Sequence, residues 1–144
     1  MIKRSLIQKE LKASGIVSSS SNSGAIVIPE MDYGDVLLEL SCTQASGTSP
    51  TLDVYFQESL DGGATFVDVV HFTQVTASAA SSAFTRLSVR ELKRSDDAVV
   101  GTVGDATTSA GQLSGLPLVS NVWRVKWVLG GTSPAFTFGV TAHY

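Results

Sequence analysis

The stretch that decides the fold is GTSPTLDVYFQESLDGGATFVD, residues Gly47–Asp68. Within it, Leu52, Val54 and Phe56 alternate with polar residues, which is the period-two pattern of a half-buried β-strand. Asp61 and the two glycines after it supply the positive φ angles of a tight reversal, and the apolar alternation then resumes. The sequence therefore predicts a β-hairpin with one buried face.

Alternation predicts further strands on both sides of this hairpin. Before it, residues 36–43 carry one apolar face, and Leu37 breaks the pattern, which indicates partial burial of the second face. After it, residues 121–129 and 136–142 alternate strictly, and Gly130–Pro134 is predicted to be the turn between them.

The tetrapeptide GTSP occurs twice, at Gly47–Pro50 and at Gly131–Pro134, each time before an alternating strand. The proline stands at the strand entry, where a missing N–H costs least. We interpret the two copies as equivalent turns at corresponding ends of two strands. With about seven or eight short strands and no convincing long helix, the predicted fold is an all-β antiparallel sandwich of jelly-roll type.

The composition of the chain argues against several classes of function. The chain is 43% hydrophobic and 16% charged, more apolar and less charged than an average soluble domain. The net charge of −3 predicts no nucleic-acid binding, and no apolar run approaches the ~20 residues of a membrane span. The one cysteine, Cys42, cannot form an intrachain disulfide, and its apolar strand predicts a buried structural thiol.

Two segments stand apart from the alternating strands. Residues 1–22 are predicted to be a basic arm with a Ser-rich linker, either frayed or ordered on an acidic neighbour, before a sandwich domain at residues 23–144. Residues 91–121, rich in Gly, Ser and Thr, are predicted to be a surface excursion containing a small hairpin.

No residue pattern points to catalysis or to a bound cofactor. His71 and His143 lie on different predicted strands without Cys, Asp or Glu at ligand spacing, so no metal site is expected. Trp123 and Trp127 share one strand face, which makes a carbohydrate platform on a tail or baseplate module an alternative function. Their apolar neighbours on that face favour the core instead.

The stretches LDVYFQESLDGGATFVDVVHFTQVT (Leu52–Thr76) and GGTSPAFTFGVTA (Gly130–Ala142) resemble a group of small tailed-bacteriophage virion proteins. That group shares a Gly-Thr-x-Pro entry, a Leu-Asp-Val strand, a Ser-x-Asp-Gly turn and a closing Thr-Ser-Pro-x-Phe-Thr-Phe. The resemblance covers most of residues 23–144. It departs at residues 94–117, which look like an insertion, and the basic arm is not part of the pattern.

The resemblance implies a non-enzymatic capsid decoration or cement protein. Such proteins are made in the host bacterial cytoplasm and bind the major capsid protein on the virion exterior, as dimers or trimers. We expect the arm and the excursion to supply the contacts to the shell or to the sister subunit. The candidate contact residues are Lys3, Arg4, Leu6, Ile7, Lys9, Leu11, Lys12, Arg94, Val99, Val100, Leu113 and Leu116.

Overall fold

The computed structural model describes residues 7–28, 36–76, 83–88, 104–114 and 118–144, and of residues 83–88 only the backbone. Within these ranges the chain forms β-strands and no helix, and every strand pair is antiparallel, so the all-β antiparallel prediction is confirmed. The strands in chain order are β1 (Gln8–Val17), β2 (Ser21–Asn22), β3 (Ile26–Val27), β4 (Leu37–Glu58), β5 (Val67–His71), β6 (Val75–Thr76), β7 (Ala83–Ser88), β8 (Gln112–Leu113) and β9 (Val122–His143).

Strands β4 and β9 form the spine of the sheet. Each is 22 residues long, and they pair from Leu37 opposite His143 to Glu58 opposite Trp123. The remaining strands add to this pair on both sides, in the order β1-β9-β4-β5-β8, with β2 and β3 on β9 and β6 and β7 on β4.

The predicted turns at Gly47–Pro50 and Gly130–Pro134 are not chain reversals. Both lie inside the long strands, where Thr48 stands opposite Thr132 and the register shifts on either side. We call the two GTSP segments at this point the crossing. The expected turn chemistry is present, because Gly47 and Gly131 have φ angles of 110° and 97°. It bends the two paired strands together instead of reversing one of them.

The sheet folds over at the crossing, and the core lies between its two halves. Residues 127 to 138 of a straight strand would span roughly 36 Å. The rings of Trp127 and Phe138 instead meet edge to face with centroids 5.7 Å apart. The predicted inward faces are confirmed as core, because the following side chains are all buried: Val36, Leu38, Leu40, Cys42, Leu52, Val54, Phe56, Trp123, Val125, Trp127, Phe136, Phe138, Val140 and Ala142.

The predicted boundary between an arm at residues 1–22 and a domain at residues 23–144 is wrong. Strand β1 pairs with the second half of β9, and Ile7 and Tyr144 exchange two backbone hydrogen bonds of 2.8 and 3.0 Å. Strand β2 pairs with the first half of the same strand. The pairing of β1 shifts register twice, which breaks the alternation that would have identified it in the sequence.

The predicted hairpin between β4 and β5 is confirmed, and Asp61 organises its turn. One carboxylate oxygen accepts hydrogen bonds from the backbone N–H groups of Ala64 and Thr65 and from the Ser59 hydroxyl, while the other accepts from the Thr65 hydroxyl. The side chain thus closes the turn from within, as short acceptors do in Asx turns.

Asp61→Asn is expected to remove an acid-dependent part of the stability. Hydrogen bonds from Thr65 and Ser59 hold the pKa of Asp61 well below its ordinary value of 3.8. A lowered folded pKa stabilises the protein above pH 3.8, and this contribution is lost as the pH falls toward the folded value. Urea unfolding of both proteins between about pH 2 and 7 should therefore show a stability difference that shrinks in acid. A difference that stays constant over this range would contradict the assignment.

Candidate functional site

Polar side chains from three adjacent strands meet on one surface of the hairpin half of the sheet. We call this surface the outer polar face. Across the strands, Tyr55 lies opposite both Lys126 and His71, and Gln57 lies opposite both Arg124 and Asp68. The face consists of Asp53, Tyr55, Gln57, Asp68, His71, Arg124 and Lys126.

A β-bulge brings Asp68 and His71 to the same face. Phe56 pairs with Val70, whereas Gln57 pairs with Asp68, so Val69 is the extra residue on β5. Strict alternation would place residues 68 and 71 on opposite faces of the strand. Sequence reasoning therefore missed this grouping, and the only signal for it was the unbroken apolar pair inside the strand.

The outer polar face is covered by residues 104–109, which we call the covering segment. Gln57 and Asp68 are fully buried, and His71 is 5% exposed. The carboxylate of Asp68 accepts hydrogen bonds from the backbone N–H groups of Ala106, Thr107 and Thr108, at 2.9, 2.7 and 2.8 Å. The covering segment is thus wrapped around one buried carboxylate.

A second set of contacts joins the covering segment to β9 through Asp105. The Gln57 amide donates to Asp68 and to Asp105, both at 2.7 Å, and its oxygen accepts from Arg124. Lys126 Nζ lies 2.8 Å from Asp105 Oδ1. Burial acts to raise the pKa of Asp105, but the hydrogen bonds from Lys126 and Gln57 outweigh it and lower the pKa below 3.8.

Residues 118–120 are attached by a different buried carboxylate. Glu58 is 1% exposed, and its Oε2 accepts from the backbone N–H groups of Val119 and Ser120, at 3.0 and 2.9 Å. Burial raises the pKa of Glu58, and these two hydrogen bonds oppose the shift. Asp68 and Glu58 together fasten both described parts of the predicted excursion to the sheet.

The predicted excursion at residues 91–121 is therefore a bound segment over the parts that the structure describes. Strand β8, inside it, pairs with β5, so that Leu113 lies opposite Val70 and is half-buried. Strand β8 does not form the predicted small hairpin within the excursion, because it pairs with a strand of the main sheet. The candidate contacts Arg94, Val99, Val100 and Leu116 lie outside the described residues.

The candidate contact residues of the basic arm differ in their exposure to solvent. Ile7 and Lys9 are exposed, whereas Leu11 is buried in the core, so Leu11 as a surface contact is wrong. Lys12 donates to the Phe138 carbonyl oxygen at 2.9 Å, and its Nζ lies 4.2 Å from the centre of the Phe138 ring. Burial lowers its pKa, so Lys12 serves the fold. Lys3, Arg4 and Leu6 lie outside the described residues.

The alternative carbohydrate platform is wrong. Trp123 is fully buried and Trp127 is 8% exposed. Their indole N–H groups donate to the backbone carbonyl oxygens of Ser120 and Ser19, at 2.7 and 3.0 Å. Sugar stacking needs an open aromatic face, and both rings instead pack inside the folded sheet.

Three exposed apolar side chains that sequence reasoning missed lie on neighbouring segments near the start of β9. Val27, Leu60 and Val119 are 61%, 67% and 54% exposed, and we call them the apolar tip. Their neighbours place them together, because Val27 pairs with Val122, the Ser59 N–H donates to the Val122 carbonyl, and the Val119 N–H donates to Glu58. In the sequence, the only sign of these residues was that each is an apolar residue near a turn and outside the alternating pattern.

Comparisons with protein-family models, with curated proteins and with solved structures find no match to this chain. Within the described ranges, no helix is long and apolar enough to cross a membrane.

Proposed function

We propose that this protein is a non-enzymatic structural protein of a bacteriophage virion, a decoration or cement protein on the capsid exterior. In this proposal it binds the outer surface of the major capsid protein shell as a dimer or trimer, and its folded-over sheet is a sandwich of jelly-roll type. The sequence resemblance is the origin of the proposal.

The apolar tip is the observation that supports it. Apolar side chains exposed close together mark sites of protein–protein contact, and strand pairing brings the segments that carry these three near one another. Val27, Leu60 and Val119 come from three separate segments and are each more than half exposed. A small apolar contact of this kind is weak alone, but it gains strength when an oligomer binds many equivalent sites on a shell.

The fastening of the apolar tip also suits a cementing role. Glu58 binds the backbone next to Val119, and Asp61 closes the turn after Leu60. The tip is therefore held in one geometry before it meets a partner, which reduces the entropy lost on binding. The outer polar face fits the same interpretation, since its hydrogen bonds join the described segments of this chain to one another.

Replacing Leu60 and Val119 together with lysine is expected to weaken binding to undecorated shells of the source particle by about tenfold or more. The matched control is Ile16→Lys, which changes a side chain that is 74% exposed and pairs with Thr137 beyond the crossing. Co-sedimentation with shells measures both. Failure of the wild-type protein to bind shells overturns the function, whereas equal binding by the double variant overturns only the role of the apolar tip.

Truncation before Ile7 tests the basic arm separately, because it leaves β1 complete. The arm hypothesis expects shell binding to fall while the stability of the protein is kept. A truncated protein that binds as tightly as the full chain would contradict the contact role of Lys3, Arg4 and Leu6.

A further inference from the structure

His71 lies between two hydrogen-bond acceptors. Its Nδ1 is 2.6 Å from the backbone carbonyl oxygen of Thr108, in the covering segment. Its Nε2 is 2.9 Å from Asp53 Oδ1, on β4. The ring is also stacked on Tyr55 with centroids 4.0 Å apart, which holds the plane of the ring, and the two hydrogen bonds orient its nitrogens within that plane.

This geometry determines the protonation that both contacts need. A carbonyl oxygen and a carboxylate only accept hydrogen bonds, so each ring nitrogen must carry a proton to make its contact. A neutral imidazole has one N–H, and its other nitrogen presents a lone pair. The bond to a carboxylate is the stronger of the two. On loss of one proton, the remaining N–H therefore stays with Asp53, and a lone pair then faces the Thr108 oxygen.

The charged groups around His71 come from each neighbouring element. Asp53 and Tyr55 face it from β4, Asp68 lies on its own strand, Asp105 lies in the covering segment, and Lys126 and Arg124 lie across the face on β9. Burial raises the pKa of the Tyr55 phenol, and the carboxylates of Asp53, Asp68 and Asp105 raise it further. Tyr55 therefore remains neutral where imidazole titrates.

We propose that His71 is a proton-dependent fastener of the covering segment. The imidazolium joins Asp53 on β4 to Thr108, and deprotonation replaces the second contact with repulsion between a lone pair and a carbonyl oxygen. The contacts of Asp68 and Asp105 then hold the covering segment without His71, and it opens more often. This inference goes beyond the proposed function and does not depend on it.

Hydrogen exchange of the Thr107 and Thr108 amides tests the proposal on the full chain. Both amides donate to Asp68, so their protection reports opening of the covering segment. Over the pH range in which the ¹⁵N shifts of the His71 ring report the loss of one of its two protons, we expect their protection factors, corrected for intrinsic exchange, to fall about tenfold. The amides of Ala64 and Thr65 donate to Asp61, whose lowered pKa keeps it ionised, so they should change little and serve as internal controls.

Asp53→Asn is the matched variant. An asparagine amide can donate to a neutral Nε2, which lets the ring keep its Nδ1 proton for Thr108 at high pH. Its oxygen can still accept the hydrogen bond that Gln74 gives to Asp53. Protection in this variant should therefore stay nearly constant over the same pH range.

Two outcomes would overturn the proposal. One is wild-type protection of Thr107 and Thr108 that does not depend on pH. The other is an equal fall in protection in Asp53→Asn. The ¹⁵N chemical shifts of the His71 ring provide a readout that needs no variant, because they report whether both nitrogens carry protons at the acid end of the titration. A single protonated nitrogen there also overturns it.

Discussion

Gly131→Ala is expected to destabilise the folded protein by about 3 kcal/mol or more. A Cβ at this position would lie 2.5 Å from the carbonyl oxygen of Ser49 and 2.8 Å from that of Thr48. Both are backbone atoms of the paired strand, so neither can rotate away. The φ angle of 97° adds a conformational cost for any residue with a side chain.

Gly62→Ala is the matched control for this prediction. Gly62 also has a positive φ, of 74°, but nothing lies within 4 Å of the place where its Cβ would be. Its substitution should cost only about 1 kcal/mol, the conformational part alone. Guanidinium unfolding of both variants measures the difference. Equal losses of stability would show that the crossing accommodates a side chain.

Gly47 is crowded in the same way, here by the backbone of the second GTSP segment. A Cβ there would lie 2.7 Å from the Ser133 carbonyl oxygen and 2.9 Å from that of Thr132. Each GTSP glycine is thus pressed against the backbone of the other copy, in a local two-fold arrangement. This reciprocal contact explains why each copy begins with glycine, because a Cβ at either position would press against the backbone of the other copy.

Asp68→Asn is expected to destabilise the protein by about 3 kcal/mol and to free the covering segment. Both carboxylate oxygens accept hydrogen bonds, Oδ1 from Gln57 and Ala106 and Oδ2 from Thr107 and Thr108. In asparagine, one of these two oxygens becomes an NH₂ group. Whichever way the amide is oriented, that NH₂ group faces two hydrogen-bond donors and can accept from neither. The Gln57 donor is fully buried and the backbone contacts are partly buried, so a stranded donor loses much of its solvation without gaining a partner.

Glu58→Gln is the control for that substitution, because it makes the same chemical change at the other fastening. Only Oε2 receives the amides of Val119 and Ser120, so a glutamine oxygen can replace it. Removing a buried charge also offsets the weaker hydrogen bonds, and stability at pH 7 should change by less than about 1 kcal/mol. A loss in Glu58→Gln as large as that in Asp68→Asn would contradict this account.

The pH dependence of Glu58 provides a separate check. Its pKa is raised in the folded protein, so the folded state binds this proton more tightly than the unfolded state does. Wild-type stability should therefore decline as the pH rises from 4.5 through the folded pKa. Urea unfolding of Glu58→Gln should lack this decline, and a decline of the same size in the variant would contradict the assignment.

Much of the fold could be predicted from local pattern, and much of the candidate site could not. The hairpin, the buried Cys42 and the inward faces around Phe56 and Phe138 follow from period-two alternation. The joint placement of Asp68 and His71 depends on a bulge at Val69, and a bulge leaves no distinct mark in one sequence. Strand β1 was missed for the same reason, since its register shifts conceal the alternation around Leu11.

The sequence by itself determined which side chains enter the core, because successive residues of a strand point to opposite faces. Only the tertiary structure decided what each GTSP segment does. Positive φ angles permit either a reversal or a bend, and the choice rests on a partner strand distant in sequence. Tertiary structure also decided that the outer polar face is covered, since that required residues 104–109 to lie on Asp68 and His71.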